Sequence, residues 1–264
     1  MDLHDFKDVA ENYDRYLEFM YEKQDNYDGF LNFYLELAKE KGQGGVIDIA
    51  CGTGAVLLHL ATNGICVDGT DLSEAMCDVA RQKAENLGLK LNISSANMTD
   101  FKNDHTYSLA IIARSGFMHL LTPEDQRKAL LNIRSHLTDG GILTLNTFAP
   151  NPAFQATQMN TSLDNYTFRL EYTNVEVCRE RIYNAITYDP KTQIMRGNWR
   201  FDTLNSEGVV TKSRIRPLAM RQTYKQEFIY LAELCGYEIV QIYGDYFGST
   251  DDTGNYIWIL RKRS

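Results

Sequence analysis

Val46-Ile47-Asp48-Ile49-Ala50-Cys51-Gly52-Thr53-Gly54-Ala55 is the stretch on which the fold turns. Its first four residues are a short apolar run ended by a glycine turn, the pattern of a buried strand, and Ala55 to Ala61 follow with a helical pattern. Gly52 and Gly54 permit positive φ and let a ligand lie against the backbone. A plain tight βα turn would carry the same glycines. This one stands where a parallel sheet opens for ligands.

Downstream, β and α patterns alternate. Ile65 to Thr70 reads as a second strand, ended by Asp71. Ser73 can cap a helix from Glu74 to about Asn86, which Gly88 stops. Leu91 to Ser95 and Tyr107 to Ala113 read as strands three and four. Thr122-Pro123-Glu124-Asp125 supplies an N-cap, a proline suited to the first helical position and two carboxylates facing the positive helix end. That helix is expected to run to about Leu137 and end at Gly140-Gly141, with Ile142 to Thr147 as strand five. After Pro150 the pattern changes. Long alternating strands fill about Tyr166 to Met220, with turn signals at Asp189-Pro190-Lys191 and Asn205-Ser206-Glu207-Gly208. The α/β pattern then resumes with a helix from Lys225 to Cys235, stopped by Gly236, and strands at Glu238 to Tyr243 and Tyr256 to Leu260. Upstream, residues 9 to 41 are helical in pattern, through Tyr13, Tyr16, Leu17 and Met20 and then from Tyr27 to Leu37.

The expected fold is α/β: a seven-stranded, mostly parallel sheet with helices on both faces and an inserted antiparallel β meander. Residues 1–149 would hold the N-terminal helices and the ligand-binding core, 150–221 the inserted lid, and 222–264 the completion of the core.

Composition narrows the function. A net charge of -8 weighs against nucleic acid, whose binding rests on cationic contacts to phosphates. No apolar stretch reaches the roughly 18 residues needed to span a bilayer. The five cysteines form no CxxC pair, and the acidic N-terminus has no apolar signal core; the expectation is free thiols in the cytoplasm. No histidine and carboxylate set has metal-ligand spacing, so no metal is expected.

The turn also discriminates among ligands. A dinucleotide fingerprint needs a third glycine for close helix packing, and Leu57 stands at that position. Asp48 would repel a pyrophosphate, whereas an acid there suits the ammonium group of an amino-acid-like ligand, directly or through water. A carboxylate at Asp71 suits a pair of ribose hydroxyls; Asp68 is the rival, but it lies inside the strand.

Asp48-Ile49-Ala50-Cys51-Gly52-Thr53-Gly54 resembles the first motif of the class I, Rossmann-like S-adenosylmethionine-dependent methyltransferases: an acid, then x-Gly-x-Gly-x-Gly, with Ala50 replacing the first glycine. The resemblance covers about residues 45 to 149 and resumes near 222 to 262. It implies S-adenosyl-L-methionine as cofactor and S-adenosyl-L-homocysteine as product. Asp48, Ala50, Cys51, Gly52 and Gly54 would hold the cofactor with Asp71. Leu72 and Met76 would flank the adenine, unless they are simply core. Asn97 stands where the family commonly has an acid, and its side-chain carbonyl can accept the same hydrogen bond; Met98 would offer its backbone N–H.

Arg114-Ser115-Gly116-Phe117-Met118-His119 follows strand four at the mouth of the site, with Arg114 counted toward the cofactor. The segment lacks the Asn/Asp-Pro-Pro-Tyr signature of enzymes that methylate DNA bases or protein amides, and it looks like small-molecule N- or O-methyltransferases. His119 can serve as general base or pack at a loop–helix junction. Tyr13 and Asp14 resemble a Tyr-Asp pair that closes over the cofactor in related enzymes, with Tyr13 as a second candidate base; an aromatic helix face packed on the core is the other reading. The resemblance implies methyl transfer to a small molecule, more at nitrogen than oxygen, with an amino sugar or amine-bearing metabolite as the suggested acceptor, in a monomer or homodimer. The competing readings are an RNA methyltransferase, a non-catalytic cofactor-binding regulator, and an NAD-dependent oxidoreductase.

Overall fold

The computed structural model describes residues 10, 13, 14, 27–174, 176, 178–251 and 254–263. Of the first helical run, Ala10, Tyr13 and Asp14 are helical, whereas Tyr16, Leu17 and Met20 lie outside the described residues. Helix α1 is Tyr27–Lys41. Then follow β1 (Val46–Ile49), α2 (Ala55–Thr62), β2 (Val67–Asp71), α3 (Glu74–Asn86), β3 (Ile93–Ser95) and β4 (Tyr107–Ile112). A 3-10 turn, Gly116–His119, precedes α4 (Pro123–Ser135) and β5 (Leu137–Phe148). The chain continues through α5 (Pro152–Gln158), β6 (Thr167–Thr173), β7 (Arg179–Asp189), β8 (Ile194–Leu204), β9 (Val210–Arg221), α6 (Lys225–Leu234), β10 (Tyr237–Tyr243) and β11 (Asn255–Lys262).

Seven strands form one sheet in the order β10-β11-β5-β4-β1-β2-β3. β1 pairs in parallel with β2 and with β4, so the strand order reverses beside β1. β11 is antiparallel to both of its neighbours. Such a reversal leaves a crevice at the strands' C-terminal ends. Alternation along the central strands serves both faces. Val46, Leu109 and Ile111 join the core under α1, α2 and α3, while Ile47, Ala110 and Ile112 join the core under α4 and α6. Trp258 is fully buried in the second core, and its indole N–H donates to Thr147 Oγ1 at 3.1 Å.

The remaining four strands form the antiparallel sheet β6-β7-β8-β9. Asp189 Oδ1 accepts the Lys191 N–H at 3.0 Å in one hairpin turn. Asn205 Oδ1 accepts the Glu207 and Val209 N–H groups at 3.0 and 2.9 Å in another. One face buries Leu170, Tyr172, Ile182 and Phe201 around Glu180, whose carboxylate takes the Tyr172 hydroxyl and the Arg214 guanidinium.

One expectation needs correction. The helix after Thr122 ends at Ser135, with His136 as its C-cap, and Gly140-Gly141 lies within β5. There the pairing with β4 shifts register between Tyr107 and Leu109, and Gly140 takes φ 71. The glycine pair marks a strand irregularity rather than a helix stop. Helix α5 stands between the end of the α/β pattern at Pro150 and the first strand of the meander. Asn151 caps it by accepting the Phe154 N–H at 3.0 Å, and Pro152 sits in its first turn.

Asp48 ties β1 to α2. It is 1% exposed, and its Oδ2 accepts the Leu57 N–H at 3.0 Å. Burial raises its pKa from 3.8 to about 8; the Leu57 bond and Arg114 oppose the rise, and the charge on Asp71 adds to it. The folded protein therefore holds this proton across a pH range in which the unfolded chain has lost it. Stability contributed by the neutral acid is full below pH 4 and is lost progressively as pH rises toward 8. Asp48→Asn keeps the acceptor for Leu57 and cannot ionise. In urea unfolding of the ligand-free protein, the variant is expected to gain on the wild type by about 1.4 kcal/mol per pH unit between pH 5 and 7, levelling off above about 8. A difference independent of pH would show that Asp48 is not the titrating group.

Candidate functional site

Three turns meet at the C-terminal ends of β1, β2 and β4. In the first, Ala50, Gly52 and Gly54 have φ of 57, 57 and 87. A Cβ on Gly52 would stand in open space, whereas one on Gly54 would press on Leu58 and Ala80 at 3.2 to 3.3 Å. Gly52 thus exposes backbone toward a ligand, and Gly54 allows α2 to pack close. In the second turn, Asp71 Oδ2 accepts the Gly52 N–H and Oδ1 accepts the Ser73 N–H, each at 2.8 Å. In the third, Arg114 and Ser115 are both left-handed, at φ 51 and 61. Adjacent Gly116 lies so near the first turn that its Cβ would come within 2.9 Å of Ala50 Cβ.

Asn146, on β5, holds this third turn. Its Oδ1 accepts the Ser115 N–H at 2.9 Å and its Nδ2 donates to Ser115 Oγ at 3.1 Å, both groups buried. Non-glycine residues at positive φ cost about 1–3 kcal/mol each and persist where the surroundings over-determine them. The result sets the 3-10 turn, and His119 at its end, against the crevice.

A cavity of about 490 Å³ occupies the crevice, within the usual range of small-molecule sites. Tyr13, Ala50, Cys51, Gly52, Asp71, Leu72, Met76, Asn97, Met98, Arg114 and His119 line it. Asp48 and Gly54 are not on its wall: Asp48 lies beneath the turn and Gly54 begins α2. Asp68 is occupied elsewhere, accepting the Tyr107 hydroxyl at 2.6 Å. Asn97 Oδ1 accepts the Thr99 N–H at 3.0 Å, which orients its carbonyl. The Arg114 guanidinium also rests over the Phe30 and Tyr27 rings, at 4.9 and 5.5 Å. Burial pushes the Cys51 thiol well above its ordinary range, with Asp48 and Asp71 adding to the rise, which favours the neutral thiol. Among the described residues, no group of three or more His, Cys, Asp or Glu is placed to hold a metal ion.

Sequence reasoning overlooked several lining residues. Thr53, within the glycine motif, and Thr122 and Asp125, which start α4, all reach the cavity. The signal was available, because a helix that begins just after the strand-four loop points its first turn at the same crevice. The lining suits S-adenosylmethionine: apolar Leu72, Met76 and Met98 for a planar base, a carboxylate for ribose hydroxyls, and open backbone at Gly52.

Residues 46–141 match the family described as Methyltransferase domain. A putative methyltransferase of Geobacillus sp. (strain WCH70) is 30% identical over 120 residues, 44% of this chain and 49% of that protein. A glycine/sarcosine N-methyltransferase of Parasynechococcus marenigrum (strain WH8102) is 32% identical over 117 residues, 44% of this chain and 42% of that protein. The match thus spans about half the length of these relatives. Among solved structures, an S-adenosylmethionine-dependent methyltransferase from Clostridium acetobutylicum ATCC 824 superposes with a TM-score of 0.78 at 16% identity, over 96% of this chain and 99% of the other. By sheet order and these likenesses, the chain has the class I S-adenosylmethionine-dependent methyltransferase fold, and its residues 46–141 are similar to the family described as Methyltransferase domain.

Proposed function

We propose that this chain methylates an amine nitrogen of a small metabolite, with S-adenosylmethionine as donor and S-adenosylhomocysteine as product. The observation that carries the reading is a single cavity whose wall runs from the glycine turn and Asp71 to His119. The likeness to a glycine/sarcosine N-methyltransferase supports nitrogen as the acceptor atom.

When bound, S-adenosylmethionine supplies a methyl carbon made electrophilic by its sulfonium. Asp71 is suited to its ribose hydroxyls: a carboxylate accepts at about four positions, so it can take hydroxyl donors beside the two backbone amides. Leu72, Met76 and Met98 offer apolar surface to the adenine, and Asn97 an acceptor for its amino group. Asp48, with a pKa near 8, ionises readily when a cation comes close above the turn. His119 addresses the acceptor. An exposed amine with a pKa near 10 is almost fully protonated at pH 7, and only the neutral amine is a nucleophile. Desolvation in the cavity lowers the amine's pKa, and His119 then takes the proton at a ring nitrogen. Tyr13 covers the cavity and limits water. Holding two reactants in line contributes up to about 7–11 kcal/mol, so positioning carries most of the catalysis.

Asp71→Ala is expected to weaken S-adenosylhomocysteine binding about 100-fold in calorimetric titration, since bonds to a charged group contribute about 1.5–3 kcal/mol each. His119→Ala is expected to bind as the wild type does and to lower turnover about 100-fold. Equal loss of binding in both variants would take His119 off the acceptor side. Absence of binding of either ligand to the pure wild type would end the reading.

Nitrogen and oxygen separate in a labelled-methyl assay with amino acids, amino sugars and matched phenols as acceptors. Label is expected in the amine set. Label in the phenols alone would overturn N-methylation.

A further inference from the structure

A triangle of polar contacts stands behind the glycine turn. Asp14 Oδ1 accepts the Thr53 hydroxyl at 2.7 Å, and Asp14 Oδ2 pairs with the Lys83 ammonium. Lys83 Nζ closes the triangle by donating to the Thr53 carbonyl at 3.0 Å. Asp14 and Lys83 are only 30% and 32% exposed in their side chains, so solvent and salt screen the pair less than an open surface pair. Thr53 is 2% exposed and lies between Gly52 and Gly54.

The three members come from separate parts of the chain: the helical residues at 13 and 14, the turn after β1, and the last turn of α3. Both oxygens of Asp14 are engaged by different partners, which fixes the plane of its carboxylate. Neighbouring residues on a helix project about 100° apart. Anchoring Asp14 to the turn therefore fixes the direction of Tyr13, and Tyr13 lines the cavity. Lys83 does not line it. Ordering a lysine costs rotamer entropy, which the triangle's charged hydrogen bonds offset.

We infer that Lys83, through Asp14, is a positioning residue that latches Tyr13 over the cofactor cavity and slows cofactor release. The inference rests on the proposed function. Lys83→Met keeps the stem and removes the donors. It and Asp14→Asn are expected to release labelled S-adenosylmethionine, chased with excess S-adenosylhomocysteine, roughly threefold to tenfold faster than wild type. The double variant is expected to be no faster than the faster single one, because both break one triangle. Lys83→Arg should restore most of the retention, and raising salt should narrow the gap between wild type and Lys83→Met. A wild type that holds the ligand and a Lys83→Met protein that releases it at the same rate would overturn the latch and leave the proposed function standing. A lowered ligand-free melting temperature with unchanged release would also overturn it, marking the triangle as a structural contact. A wild type that retains no ligand would overturn both.

Discussion

The carboxylate of Asp71 is the pivot of the site. It closes β2, yet its hydrogen bonds reach across to Gly52 in the turn after β1 as well as to Ser73 ahead of α3. Two turns that belong to different βα units are thereby held as one surface. The bond to Gly52 requires that residue's N–H to face sideways along the sheet edge, which its left-handed conformation allows. A carboxylate with backbone donors on both oxygens is also an oriented one, so whatever approaches from the crevice meets lone pairs in fixed directions. The same residue therefore assembles the turn and presents charge to a ligand.

The strand-four side is built on a different principle. Asp71 stabilises a turn in which two of the three positive-φ residues are glycines, while Asn146 supports one with two successive non-glycine residues at positive φ. Gly116 then lets this turn approach Ala50 to within contact distance. Any side chain at Gly116 would push the β4 loop, and His119 with it, away from the glycine turn. The width of the cavity between the glycine turn and His119 thus depends on a glycine that carries no chemistry.

Much of this was legible in the sequence, for identifiable reasons. The central strands β1 and β4 are short, mostly apolar runs because both faces are covered, and Ser73 and Thr122 announce their helices by side-chain caps that the structure contains. Asp48 was legible as an acid beside the turn, but not as one buried beneath it, since the direction of a strand residue depends on which face α2 covers. Gly140-Gly141 misled because glycine pairs end helices and interrupt strands alike. The 152–158 helix was obscured by its brevity, although Asn151-Pro152 is a proper start signal. Asn146 and Lys83 left no local trace at all. Each acts on a residue far away in sequence, Asn146 on Ser115 and Lys83 on Asp14 and Thr53, and only the tertiary fold brings those partners together.

The four-stranded sheet is coupled to the cavity through its last strand. Arg221, at the end of β9 and only 6% exposed, donates to Gln193 Oε1 at 2.6 Å and to Glu227 Oε1 at 2.8 Å. Its other terminal nitrogen reaches Gln126 Oε1 at 3.4 Å, and Gln126 Nε2 donates to Thr223 Oγ1 at 3.0 Å. Gln126 is buried in the first turns of α4, next to Asp125 on the cavity wall. A buried, charge-assisted network of this kind is costly to break in part, because each freed group would be left desolvated. Displacement of β9 must therefore carry the start of α4 with it, and with α4 the wall formed by Thr122 and Asp125. The antiparallel sheet is not an independent appendage: the side chains that tie β9 to α4 stand directly behind the cavity wall at Asp125.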